Sequence, residues 1–330
     1  MTYQVTVEPT GDVVEVEDGQ NLLDAALRQG VWLPFACGHG TCGTCKVQVL
    51  EGYADAGDAS SFALMDSERD EGKLLACCCL PESDMVIEAD VDVDPDFQGL
   101  PVEDYQGKVV LIEDLSPTIK HIRLELDRPM AFQAGQYINL HVPSIDSTRA
   151  FSIANPPSMS GIIDLHVRKV EGGAGTTWLH DELQVGQSLD VSGPYGQFFV
   201  RKSDPQGAIF IAGGSGLSSP ESMIMDLLEE GDTRPIYLFQ GARNKAELYH
   251  ADHFYQLAEK HDNFHYIPAL NAPLPDDAWE GFVGFVHEAV GQFFEQRCSG
   301  NKAYLCGPPP MIEAAISTLM QSRLFERDIH

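Results

Sequence analysis

Cys37, Cys42 and Cys45 fall within nine residues, in the run Cys37-Gly38-His39-Gly40-Thr41-Cys42-Gly43-Thr44-Cys45. The C-x4-C-x2-C spacing constrains the chain more than any other feature. Thiolates that converge on one small inorganic core need a tightly curled loop, and Gly38, Gly40 and Gly43 permit one. Their backbone N–H groups can also turn inward toward cluster sulfurs. The spacing suits a 2Fe-2S cluster completed by a distant fourth cysteine. Zinc is the main competitor, but a four-cysteine zinc site usually pairs two C-x2-C knuckles, and only Cys42–Cys45 has that form. Inert buried thiols are the third reading.

The other cysteines are Cys77, Cys78 and Cys79 in succession, then Cys298 and Cys306. Eight in 330 residues are too few for a disulfide scaffold, which points to a reducing, cytoplasmic setting. No apolar run approaches the roughly 18 residues of a membrane span, and the first dozen residues lack a signal-peptide pattern. With 21 basic and 50 acidic residues the net charge is −29. So acidic a surface disfavours nucleic acid and anionic membranes, and suits docking to a basic partner patch.

The length predicts more than one domain. Residues 3–7 and 13–17 alternate like hairpin strands, 21–29 read as a short helix closed by Gly30, and 47–50 and 86–87 supply further strands. Residues 1–100 carry 20 acids and 4 bases, a balance of −16. The acidic stretch 90–100 with Pro95 reads as a linker. From 105 to 201 the pattern is all strand and turn, predicting an antiparallel barrel. From 207 onward strands and helices alternate, predicting a doubly wound parallel sheet. There Gly213-Gly214-Ser215-Gly216 and Cys306-Gly307-Pro308-Pro309 each end a strand and face one crevice, where backbone N–H groups and a helix dipole favour a pyrophosphate.

Residues 1–92 resemble a plant-type ferredoxin domain of β-grasp-like fold, and Leu75-Ala76-Cys77-Cys78-Cys79-Leu80-Pro81 resembles its second cluster segment. That family's ligand stands four residues before the proline, so the resemblance implies Cys37, Cys42, Cys45 and Cys77 as the metal ligands, with Cys78 and Cys79 as packed or surface thiols. A linker at 93–104 follows.

Residues 105–203 and 204–330 resemble the FAD-binding barrel and the NAD-binding domain of the ferredoxin–NADP reductase superfamily. Arg149-Ala150-Phe151-Ser152 is similar to its Arg-x-Tyr-Ser flavin signature. The match implies that Arg149 pairs with the FAD pyrophosphate, Phe151 packs by the flavin and Ser152 hydrogen-bonds the isoalloxazine edge. Phe151 lacks the tyrosine hydroxyl of the signature. His166, Val167 and Arg168 match the strand that contacts the cofactor, and Gly173, Gly175, Thr176 and Thr177 match its phosphate loop. Gly213, Gly214, Ser215, Gly216, Gly241 and Arg243 match nicotinamide-nucleotide segments, and Cys306, Gly307 and Pro308 the stretch beside the nicotinamide. Ser152 and Cys306 are the candidate catalytic residues, as positioning groups around the transfer geometry. NADH is the expected donor, although Arg243 and Lys245 keep NADPH open.

The order of the three parts resembles the reductase component of bacterial multicomponent oxygenases, nearest to phenol hydroxylase reductases. The resemblance implies a monomeric NADH-dependent electron-transfer enzyme serving a diiron hydroxylase component. Nicotinamide gives up two electrons together, the cluster accepts one, and a flavin between them can split the pair. The alternatives are the reductase of a Rieske dioxygenase or of an alkane/alkene monooxygenase, and a non-enzymatic redox carrier or sensor.

Overall fold

The computed structural model describes residues 1–91 and 94–330, so the expected 92/93 boundary lies outside the described residues. The chain divides into two compact units, Met1–Glu103 and Asp104–His330.

In the first unit, alternation of buried and exposed residues forms β1 (Thr2–Glu8) and β2 (Asp12–Glu17), an antiparallel hairpin. Helix α1 (Leu22–Arg28) follows, with the Asn21 side chain accepting the Asp24 N–H at 2.8 Å. It buries Leu22, Leu23, Ala25, Ala26 and Leu27. Next come β3 (Lys46–Glu51), β4 (Ala54–Asp55), the short helix α2 (Asp66–Asp70), β5 (Lys73–Leu75), β6 (Leu80–Pro81) and β7 (Met85–Glu88). The main sheet has the order β2-β1-β7-β3-β5, with β1 and β7 parallel. The predicted strands and helix are all present; α2 was not expected, since its five residues bury nothing and leave no apolar period to read.

The second unit opens with β8 (Glu103–Ser116), β9 (Ile119–Leu126), β10 (Tyr137–Val142), β11 (Ser147–Ser152), β12 (Ile162–Arg168), helix α3 (Ala174–Asp181) and β13 (Ser188–Tyr195). The strands form one antiparallel sheet, β11-β10-β13-β8-β9-β12, around a core that includes Val109, Ile122, Leu140, Leu165 and Leu179. The sheet curls: the Ala154 N–H, just past β11, donates to the Asp164 carbonyl on β12 at 2.9 Å. Buried Asn155 splices the same two edges, accepting the Asp164 N–H at 2.8 Å and donating to the Ile162 carbonyl at 2.9 Å. The expectation of strands and turns alone is corrected in one place. The glycine-rich run opens into α3, because Leu179 is fully buried on its inner face and the core rewards the helix.

The remainder is β14 (Gly207–Gly213), α4 (Ser218–Glu229), β15 (Ile236–Ala242), α5 (Ala251–Lys260), β16 (Phe264–Leu270), β17 (Phe282–Val283), α6 (Val286–Phe293), β18 (Asn301–Cys306) and α7 (Pro309–Gln321). All five strands run parallel in the order β17-β16-β15-β14-β18. Every residue of β14 is buried, as a central strand covered on both faces requires. The strand order reverses at β14, which puts the switch point between the ends of β14 and β18. Among the described residues no helix is long and apolar enough to cross a membrane.

Candidate functional site

The curled loop of the first unit is built as its glycines demand. Gly38, Gly40 and Gly43 have φ of +70°, +76° and +77°, a region closed to most side chains, and a Cβ on Gly40 would stand 2.6 Å from Cys78 Sγ. Two of the four expected sulfur ligands stand side by side. Cys45 Sγ and Cys77 Sγ, both buried, are 3.2 Å apart. On the more exposed side, Cys37 is half-buried and Cys42 is exposed, its thiol 3.3 Å from Thr44 Oγ1. Cys37 Sγ lies 3.5 Å from the N–H groups of His39 and Thr41. Burial raises the Cys37 pKa, but these donors prevail and bring it down to about 5. Four thiols, three from the glycine loop and Cys77 beside Cys45, meet the needs of two irons that take two sulfurs each, so the residues fit a 2Fe-2S cluster. Cys78 Sγ stands 3.7 Å from Cys77 Sγ, whereas Cys79 is fully buried and its thiol is pushed up to about 12 by that burial.

In the curled sheet, Arg149 is exposed on β11 and donates to the Thr148 carbonyl at 2.7 Å and to Ser147 Oγ at 3.1 Å. A Cβ on Gly175 would lie 3.6 Å from Arg149 Cγ, so the first turn of α3 sits directly against this arginine. Gly173 caps the helix, and Thr176 Oγ1 accepts the Val170 N–H at 3.1 Å. A guanidinium beside a helix N-terminus is suited to a pyrophosphate, and the missing Cβ of Gly175 leaves the approach open. Ala150 is exposed, Phe151 packs half-buried on the sheet core, and Ser152 pairs in register with Tyr137, which stacks on Tyr195 at 5.5 Å.

The β12 residues separate by face. Val167 points into the sheet core, and Arg168 reaches the glycine turn, its guanidinium 3.8 Å from the position of a Gly214 Cβ. The His166 ring is buried, with Nδ1 3.2 Å from the Tyr249 hydroxyl and 3.9 Å from Glu221. That burial drives its pKa down to about 4, so the imidazole is neutral at pH 7. Glu221 accepts from His250 at 3.0 Å, and Tyr249 donates to the Gly214 carbonyl at 3.1 Å.

A cavity of about 530 Å³ crosses the carboxyl ends of β14, β15 and β16. Gly213, Gly214, Gly241, Arg243, Arg168 and Pro308 line it; Ser215, Gly216, Cys306 and Gly307 are not among its lining residues. Gly216 is obligatory there, since a Cβ would collide with the Cys306 carbonyl. Burial pushes the Cys306 thiol up to about 11, which keeps it protonated and unfit as a nucleophile. Lys245 lies outside the lining and is tied to Asp277. Sequence reasoning missed Glu247, which lines the cavity and grips Arg243 through two hydrogen bonds; its i,i+4 spacing from Arg243 was the available signal. Tyr249, Glu221 and His250 were also missed, because only folding brings α4 and the segment before α5 against β12.

A thiolate loop, a curled antiparallel sheet with an anion-ready arginine, and a crevice at the switch point of a parallel sheet define an iron–sulfur flavoprotein reductase. Family models agree: a 2Fe-2S iron-sulfur cluster binding domain matches residues 5–82, an oxidoreductase FAD-binding domain 106–200, and an oxidoreductase NAD-binding domain 210–316. The chain is 72% identical over its full length to phenol hydroxylase P5 protein of Acinetobacter pittii (strain PHEA-2), covering 94% of that protein. It is 68% identical over 329 residues to the reductase component DmpP of phenol 2-monooxygenase from Pseudomonas sp. (strain CF600), a match that covers 100% of this chain and 93% of that protein. The crystal structure of the Amycolatopsis cytochrome P450 reductase GcoB superposes with a TM-score of 0.88 at 35% identity, over 100% of this chain and 98% of that one. The chain therefore belongs to the family of reductase components of multicomponent oxygenases, beside the phenol hydroxylase reductases. It is an NADH-dependent iron–sulfur flavoprotein oxidoreductase that uses FAD and a 2Fe-2S cluster.

Proposed function

We propose that this protein supplies electrons from NADH to the diiron hydroxylase component of a phenol-type aromatic monooxygenase, acting as a monomer in the cytoplasm. The observation that carries this reading is the 72% and 68% identity, over the whole chain, to phenol hydroxylase reductase components. Bound FAD would supply the conversion between the paired electrons of NADH and the single-electron 2Fe-2S centre. The protein's own part is to hold, orient and insulate. In this reading Cys37, Cys42, Cys45 and Cys77 are the iron ligands, supported by the 3.2 Å approach of Cys45 Sγ to Cys77 Sγ and by the deep burial of Cys79. Arg149 and the first turn of α3 hold the FAD pyrophosphate, with Gly173, Gly175, Thr176 and Thr177 forming that turn. Phe151 and Ser152 border the flavin, and Cys306, protonated, orients the nicotinamide without attacking it. Arg168, Gly213, Gly214 and Gly241 line the path of the dinucleotide. The corresponding domains are 1–92, a linker at 93–104, 105–203 and 204–330.

The decisive experiment reconstitutes the purified holoprotein with a phenol hydroxylase component and follows NADH-coupled hydroxylation. Turnover matched to NADH consumption supports the proposal; NADH oxidation with no hydroxylated product, beside turnover with a Rieske or alkane oxygenase, overturns it. Cys42→Ser separates the steps. It is expected to abolish hydroxylation and to spare NADH-to-ferricyanide reduction at the flavin.

A further inference from the structure

The cavity over the parallel sheet holds one charge arrangement that the electron path does not require. Arg243 follows the carboxyl end of β15, one strand over from the Gly213-Gly214 turn, and lines the cavity with Glu247. Its Nε donates to Glu247 Oε2 at 2.9 Å and a terminal amino group donates to Oε1, a two-pronged clasp. In doubly wound sheets the acidic or basic residue beyond the second strand meets the adenosine ribose, where a carboxylate accepts from the 2′-hydroxyl and an arginine donates to a 2′-phosphate. Both types stand here, and the carboxylate occupies the guanidinium. Lys245, the other cation on this segment, makes its backbone and side-chain bonds to Asp277.

From this geometry we infer that Glu247 is the specificity-determining residue for the dinucleotide: it holds Arg243 away from a 2′-phosphate and opposes that group's charge. A carboxylate has lone pairs to spare, so Glu247 can hold the arginine and still accept a ribose hydroxyl. Rejection of NADPH then rests on a latent phosphate site that is kept shut, with the necessary cation already in place. This rests on the reading of the cavity as the dinucleotide site.

The test measures kcat/KM for NADH and NADPH in ferricyanide reduction by the full-length holoprotein, with flavin content and circular dichroism as checks of folding. Glu247→Gln frees Arg243 and is expected to raise kcat/KM for NADPH about tenfold or more, the worth of one hydrogen-bonded charge contact. The NADH value falls a few-fold with the lost acceptor. The double variant Glu247→Gln/Arg243→Ala loses the NADPH gain. Calorimetry with 2′-AMP as probe is expected to detect binding only to Glu247→Gln. An unchanged NADPH-to-NADH ratio in Glu247→Gln, or a gain that survives in the double variant, overturns the inference. Ala314→Trp, which obstructs the cavity from α7, tests the underlying reading separately: an unchanged KM for NADH there means that the dinucleotide binds elsewhere.

Discussion

The Tyr249 hydroxyl donates to the carbonyl oxygen of Gly214 at 3.1 Å. Tyr249 is buried, and burial raises its pKa, so the hydroxyl keeps its proton. One buried donor thus pins the glycine turn that borders the cavity, and the same hydroxyl lies 3.2 Å from the His166 ring on β12. The curled sheet and the parallel sheet meet at this point, so the turn is positioned from both.

Tyr249→Phe is therefore expected to loosen the turn without emptying the flavin site. With a net hydrogen-bond value of about 1 kcal/mol, KM for NADH should rise roughly fivefold at unchanged FAD stoichiometry. Steady-state ferricyanide kinetics checks this; a wild-type KM would show that the turn holds itself.

Cys77→Ser is expected to yield a protein without the visible and electron paramagnetic resonance signals of the cluster, while Cys79→Ser retains both. The difference arises from position: Cys77 Sγ lies 3.2 Å from Cys45 Sγ, and Cys79 is packed in the core. The reverse pattern would move the fourth ligand.

Arg149→Ala should weaken FAD retention by roughly 10- to 100-fold, the worth of a charge-assisted contact to phosphate. Iron content should be unchanged. Flavin and iron measured in one gel-filtered sample decide it, and undiminished flavin would remove Arg149 from the pyrophosphate site.

The pH dependence of stability follows from two buried groups of β12. His166 ordinarily titrates near 6.5 and is held down to about 4 by burial, so the unfolded chain binds the proton first as pH falls. Stability contributed above 6.5 is therefore lost as the pH falls through about 4. Asp164 is raised by burial but held down more strongly by His121 and Arg123, from 3.8 to about 2, and its contribution is lost across that lower window. Arg123 grips it at 2.7 and 2.9 Å, and His121 at 2.8 Å. Thermal midpoints should fall from pH 6.5 to 4, and His166→Phe should flatten that segment of the curve. Asp164→Asn should cost about 2 kcal/mol at pH 7, in line with its lowered pKa, and a midpoint equal to wild type would deny the network any stabilising part.

Several features were legible because their cause is local. A thiol-rich loop with three glycines has few ways to curl, the central strand of a parallel sheet must be apolar throughout, and Gly213–Gly216 ends such a strand. Strand β11 and helix α3 were not legible. The first carries Arg149 and Thr148 outward with no clean alternation, and the second starts in a glycine run whose helical state depends on burying Leu179.

By itself, the sequence determined the kinds of site this chain can build: convergent thiolates and glycine turns at the ends of parallel strands. Those depend on spacing along the chain, which the sequence states directly. Only the tertiary structure decided that the Cys77 sulfur comes to 3.2 Å from Cys45, and that Tyr249, Glu221 and His250 surround His166. These are choices of side-chain direction and of contact between segments from about 30 to over 80 residues apart. They are set by packing and by the need to partner buried polar groups, neither of which is visible one residue at a time.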